Sequence, residues 1–78
     1  MHLEIITPDK ELFKGEAKAV TVPGSEGSLG ILENHAPLIA SLKKGTVKVT
    51  ESNNNEQLFE INGGVAEVLK NKVIILAD

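Results

Sequence analysis

The stretch Val22–Leu42, VPGSEGSLGILENHAPLIASL, sets glycine at Gly24, Gly27 and Gly30 and proline at Pro23 and Pro37. Glycine permits positive backbone dihedrals or close backbone approach, and proline fixes φ and removes a donor, so no helix runs through this stretch. The two prolines predict two corners. Between them only a short strand over Ser28–Leu32 fits, and Glu33-Asn34-His35-Ala36-Pro37 predicts a second loop. If both loops close on the same end of a sheet, Glu26, Ser28, Glu33 and His35 come near one another.

The rest of the chain frames this stretch with strand signals. Leu3–Thr7 is an aliphatic run halted at Pro8-Asp9, which predicts a first strand and a turn. Lys10–Lys14 is ambiguous, with Phe13 as a single anchor dropped into the core. Glu16–Val22 mixes Glu, Lys, alanine and β-branched residues and predicts an edge-like strand. Leu38, Ala40 and Leu42 share one face of a further strand that Lys43-Lys44-Gly45 ends. Thr46–Thr50 alternates valine with polar residues, Gln57–Ile61 sets Phe59 and Ile61 on one face, and the Asn-rich Glu51–Glu56 between them predicts a hairpin loop. Gly63-Gly64 breaks the ladder, Val65–Leu69 predicts another strand, and Lys70-Asn71-Lys72 a tight turn. Val73–Ala77 is apolar on both faces and predicts a last strand in the interior of a sheet or between two sheets. No segment keeps a helical period beyond two turns, so an all-β sandwich or flattened barrel in one domain, 1–78, is the economical architecture.

Composition narrows the function. A chain of 78 residues supports one thin core. At 41% hydrophobic and 24% charged residues it has the make-up of a soluble globular protein. The longest apolar run, Val73–Ala77, falls far short of the roughly 20 residues that cross a bilayer, and MHLEI resembles no export leader, so a cytosolic setting is expected. The absence of cysteine removes disulfides, thiolate catalysis and thiolate metal sites. A net charge of -3 argues against general nucleic-acid binding, and two phenylalanines without Trp or Tyr argue against base stacking and carbohydrate platforms.

Little catalytic chemistry is available. His35 with Glu26, Glu33, Ser25 and Ser28 contains the residue types of a Ser/His/Glu set, but nothing fixes an oxyanion hole or an order for the three. His2 and His35 lack any metal-ligand spacing. The glycine-rich loop is followed by neither Lys-Ser/Thr nor a helix start, so no phosphate cradle and no cofactor are expected. Two function classes remain: a sandwich that docks on other proteins in an assembly, and a free-standing small module that binds a metabolite. A thin core of small side chains leaves little volume for a pocket and favours docking.

PGSEGSLGILENHAPLIASL, Gly45, the run Gly63-Gly64-Val65-Ala66-Glu67-Val68 and the closing VIILAD resemble, in order and spacing from Leu3 to Asp78, the N-terminal β-sandwich of the epsilon subunit of F-type ATP synthase. The resemblance implies an antiparallel sandwich of about ten strands in the central stalk. It implies that one side binds the gamma subunit, that the lower end rests on the c ring, and that the domain turns with both while proton or sodium flow drives ATP synthesis. It implies no catalysis of its own and a peripheral place on the cytoplasmic side of the bacterial inner membrane. The family's ring-facing acidic position falls on Ser28 and its ring-facing histidine on His35, with Glu26 or Glu33 left to supply the acid. The family's two-helix arm, which blocks ATP hydrolysis and in some members binds ATP, has no counterpart before Asp78, so neither arm-dependent inhibition nor ATP binding is expected.

Overall fold

Where the sequence alternates most cleanly the side chains alternate too: Val47 and Val49 are fully buried, while Thr46 and Lys48, which alternate with them, face solvent. A period of two puts one set of side chains on each face, and this one-sided burial recurs through the molecule. The computed structural model describes residues 1–78. Its nine strands are β1 (His2–Ile6), β2 (Glu11–Glu16), β3 (Ala19–Gly24), β4 (Gly27–Leu32), β5 (Leu38–Leu42), β6 (Gly45–Thr50), β7 (Glu56–Ile61), β8 (Gly64–Leu69) and β9 (Lys72–Ala77).

They form two layers, β5-β8-β9-β1-β2 and β4-β3-β6-β7, joined through the single bridge Gly24↔Leu42. On the far side Phe13 of β2 meets Phe59 of β7 edge to face, with ring centroids 6.1 Å apart and planes at 65°. The sandwich is thus nearly closed into a flattened barrel. Sixteen apolar residues fill it and no polar side chain is buried. The largest that are fully enclosed are Leu3, Ile5, Ile31, Ile75 and valines, each worth roughly 1.5–3 kcal/mol for complete burial.

The all-β sandwich expected from the turns is present, with nine strands in place of about ten. Every pairing is antiparallel except β1 with β9, which run parallel from His2↔Lys72 to Ile6↔Leu76. Parallel neighbours need a long connection, and here nearly the whole chain supplies it.

Several local expectations change in the structure. The ambiguous stretch Lys10–Lys14 resolves as strand: Phe13 packs against the core from within β2, whose register against β1 runs from Glu16 opposite His2 to Glu11 opposite Ile6. Glu16 ends β2, and the next strand starts only at Ala19. That strand, β3, is not an edge, because β4 covers one side while β6 and then β5 cover the other. Pro23 makes no corner. It sits in β3 between Thr21, paired to β6, and Gly24, paired to β5, where a missing donor breaks no ladder, and its carbonyl accepts from the Lys43 N–H at 2.8 Å. The corner is Ser25-Glu26; of the three spaced glycines Gly27 needs positive φ, at 134°, and Gly24 needs a missing side chain, since a Cβ there would stand 2.5 Å from the Gly27 carbonyl oxygen.

β9 lies inside its layer, between β1 and β8, as its apolar run predicts, while nothing covers its outer face and Leu76 stays 54% exposed.

Candidate functional site

The backbone of β4 follows from two hydrogen bonds at the β3–β5 bridge. The Pro23 carbonyl and the Ser25 N–H both turn towards β5, meeting Lys43 N–H and the Ser41 carbonyl. Gly24 between them therefore turns its own N–H and carbonyl to β4, where it pairs with Gly27. Gly27, Leu29 and Ile31 accordingly bond to β3, and Ser28, Gly30 and Leu32 point their backbone groups outward. Of these only the Leu32 carbonyl is taken, by the His35 N–H at 3.2 Å. The other two edge strands, β2 and β7, carry Glu11, Lys14, Glu16, Glu56 and Glu60, whereas GSLGIL carries no charge. Charge is the usual guard of an open edge.

The four residues singled out from the sequence do not meet at one point. Glu26 occupies the β3–β4 turn and Ser28 lies just inside the strand, while Glu33 and His35 follow its other end. At about 3.3 Å per residue the length of β4 holds the two pairs roughly 20 Å apart. They line one long free edge. A Ser/His/Glu set is not assembled, since His35 and Ser28 stand at opposite ends of that edge.

At the Glu26 end the turn overhangs β5, and an open cleft of about 420 Å³ runs between Ser25–Leu29 and Ile39–Ser41. Ser25 Oγ donates to Ser41 Oγ at 3.2 Å across it, and Ile39 on its wall is 74% exposed.

At the other end Glu33 is committed to a latch. Its carboxylate meets the Met1 ammonium, which also donates to the Ala17 carbonyl at 3.0 Å, and accepts from Asn71 Nδ2 at 2.9 Å. Asn71 Oδ1 in turn accepts from the Asn34 N–H at 2.8 Å. The chain start, the β4–β5 loop and the β8–β9 turn are tied together by one side chain. The ammonium first, and Asn71 second, hold the Glu33 carboxyl below the usual carboxylate range. Nearby, His2 Nε2 lies 2.8 Å from Glu4, and that hydrogen bond is the main reason the Glu4 carboxyl is lowered too.

His35 turns its ring back on its own loop: Nδ1–H donates to the Ala36 carbonyl at 2.7 Å, which leaves Nε2 as its free polar atom. Asn71 was missed from the sequence. Its only signal was its place in Lys70-Asn71, both at positive φ (51° and 59°), the signature of a type I′ turn.

The fold and its edge define a small all-β sandwich domain with no buried polar side chain and one strand edge without charge. The chain belongs to the ATP synthase delta/epsilon chain, beta-sandwich domain family, whose model matches residues 1–78. It is 45% identical over 78 residues to the ATP synthase epsilon chain of Campylobacter curvus and 46% identical over 78 residues to ATP synthase epsilon chain 2 of Ralstonia nicotianae. All of this chain is matched in both, and it spans 60% and 56% of those relatives' lengths. Among solved structures it resembles a chain of the Euglena gracilis mitochondrial ATP synthase, with a TM-score of 0.90, 27% identity, and 96% of this chain and 48% of that one covered. A chain of the Tetrahymena thermophila mitochondrial ATP synthase central stalk and c-ring matches with a TM-score of 0.83, 25% identity, and 99% and 62% covered.

Proposed function

We propose that this chain acts in the central stalk of an F-type ATP synthase, securing the gamma subunit to the c ring so that ion flow through the membrane sector turns both and drives ATP synthesis. The observation that carries the reading is the family match over residues 1–78, together with the likeness to a chain of a solved central stalk and c-ring assembly. The role is mechanical, with catalysis left to other subunits and no cofactor required. The chain reaches the membrane only through the complex, at the cytoplasmic side of a bacterial inner membrane.

For the ring contact we propose the free edge of β4, with Glu26, Ser28, Glu33 and His35 along it. Free N–H and carbonyl groups on Ser28 and Gly30 and a free Nε2 on His35 offer polar partners to exposed loops. Glu26 supplies the charge, because Glu33 is already engaged by the Met1 ammonium. Gel filtration of this chain with purified gamma subunit tests the stalk reading: a joint peak is expected, and separate elution at micromolar concentrations would refute it.

A further inference from the structure

β7 ends at Ile61 in the smaller layer and β8 starts at Gly64 in the larger one, so the chain crosses between them in two residues, Asn62 and Gly63. The crossing is tight. Gly63 is buried with φ at 139°, and its carbonyl accepts from the Asp78 N–H at 3.0 Å. A Cβ on it would stand 3.2 Å from Asp78 Oδ2 and 3.4 Å from the Leu42 carbonyl oxygen. Leu42 is paired with Gly64 and also bridged to Gly24 of β3, so this corner touches the seam between the layers.

One backbone donor is left over here. The Gly63 N–H has no acceptor in the protein, which is uncommon for a buried peptide group and costly. Directly before it stands the exposed amide of Asn62, which forms no hydrogen bond of its own. The other asparagines differ. Asn53 Oδ1 accepts from the Asn55 N–H, Asn54 Oδ1 from Lys18, and both ends of the Asn71 amide are engaged. Asn34 precedes His35, whose N–H is bonded to the Leu32 carbonyl, and Asn55 precedes Glu56, whose Cβ crowds the nitrogen beside it. Asn62 alone combines a free side chain, a free N–H after it and a following residue without a Cβ.

We infer that Asn62 is a site of spontaneous deamidation in the folded protein, and that its conversion loosens the crossing between the layers. The Gly63 nitrogen attacks Asn62 Cγ and closes a five-membered imide, the Cγ–Nδ2 bond breaks, and ammonia leaves with the N–H proton. The step removes the unpaired donor. Water then opens the imide at one of its two carbonyls. Opening at Cγ gives aspartate with the main chain unchanged; opening at the main-chain carbonyl gives isoaspartate, whose chain runs through the side chain and is one carbon longer. Both products add a carboxylate beside Gly63, where the Asp78 carboxylate already lies, in a molecule of net charge -3. The longer linkage also displaces Gly63 and Gly64 from Leu42, Ala77 and Asp78, the partners that hold the start of β8. None of this depends on the stalk reading.

The test is to age the purified chain at mildly alkaline pH, folded and in urea, and to map it with a protease that cuts after glutamate. Cuts after Glu60 and Glu67 release Ile61–Glu67, in which Asn62 is the sole asparagine. In the folded chain this peptide is expected to gain one mass unit about tenfold faster than those carrying Asn34, Asn53–Asn55 or Asn71, a barrier lower by about 1.4 kcal/mol. Fragmentation should show isoaspartate in it. Asn62→Gln should gain nothing there, because its longer side chain would have to close a six-membered ring. Aged protein resolved by ion exchange should melt below fresh wild type, with Asn62→Asp, which adds the charge without the extra carbon, between the two. Mass gain no faster at Asn62 than at the other asparagines, or gain in urea but not in the folded chain, would overturn the site. An aged form that melts with fresh wild type would overturn the loosening.

Discussion

Replacing Gly64 by valine should cost the sandwich a large part of its stability. Gly64 opens β8 with φ at 145°, in a region that only glycine enters without strain. A Cβ there would run into the Leu76 carbonyl oxygen and sit 2.9 Å from the Ala77 Cα. Both obstacles are backbone of β9, and Gly64 is the residue paired with Ala77, so relief requires the two strands to part at that end. The dihedral alone costs about 1–3 kcal/mol, and each ladder hydrogen bond lost adds about 1 kcal/mol. A loss of about 3 kcal/mol is therefore expected, against a total stability of roughly 4–12 kcal/mol for a domain this size. In a domain of this length that corresponds to a fall in Tm of about 12–24 °C. Gly30 is the internal control: its φ is ordinary and a Cβ added to it meets nothing within 4 Å. Urea and thermal unfolding followed by circular dichroism, on Gly64→Val and Gly30→Ala in parallel, measure both. A loss below about 1 kcal/mol for Gly64→Val, or an equal loss for Gly30→Ala, would refute the reasoning.

Three further outcomes are expected. Because the folded-state pKa of Glu33 is depressed by the Met1 ammonium and Asn71, its contribution to stability is present above the ordinary glutamate value of about 4.3 and is lost as pH falls through the lower folded value. Glu33→Gln should flatten that acid limb in a pH series of unfolding midpoints, and an unchanged limb would show that the latch does not form in solution. His35→Ala should change stability by no more than about 0.5 kcal/mol while weakening attachment to the c ring in reconstituted enzyme. A large drop in melting temperature with attachment intact would make His35 structural instead. Calorimetry with ATP should show no binding, since Gly24–Gly30 forms a hairpin with Glu26 at its tip and no helix N-terminus faces it. Micromolar affinity would overturn that.

How far the sequence could be read depended on the range of the interaction. The hairpin of Thr46–Thr50 with Gln57–Ile61 was legible because its alternation and its Asn-rich loop are local signals, and Leu38, Ala40 and Leu42 do share the inner face of β5. The double glycine was legible for the same reason, with φ at 139° and 145°. β2 was not, since ELFKGE buries no residue fully and its place depends on β1. Glu26, Ser28, Glu33 and His35 would be neighbours only if the two loops closed on one end of the sheet, and which end each loop reaches is set by the pairing of β4 with β3. The latch was out of reach altogether. It joins Met1 to Glu33 and Glu33 to Asn71, and no local pattern encodes contacts between residues so distant in the chain.

The parallel pairing of β1 with β9 has a mechanical meaning. β9 is held along its length by β1 on one side and by β8 on the other, through five and six register pairs. Hydrogen bonds between strands lie across the strand axis, so a pull along β9 loads them all in shear, and they must fail together. The same force applied across the layer at the free edge of β2 would open its ladder with β1 one bond at a time. For the torque-bearing role proposed above, load is borne best when it enters along β9, the central strand of the larger layer.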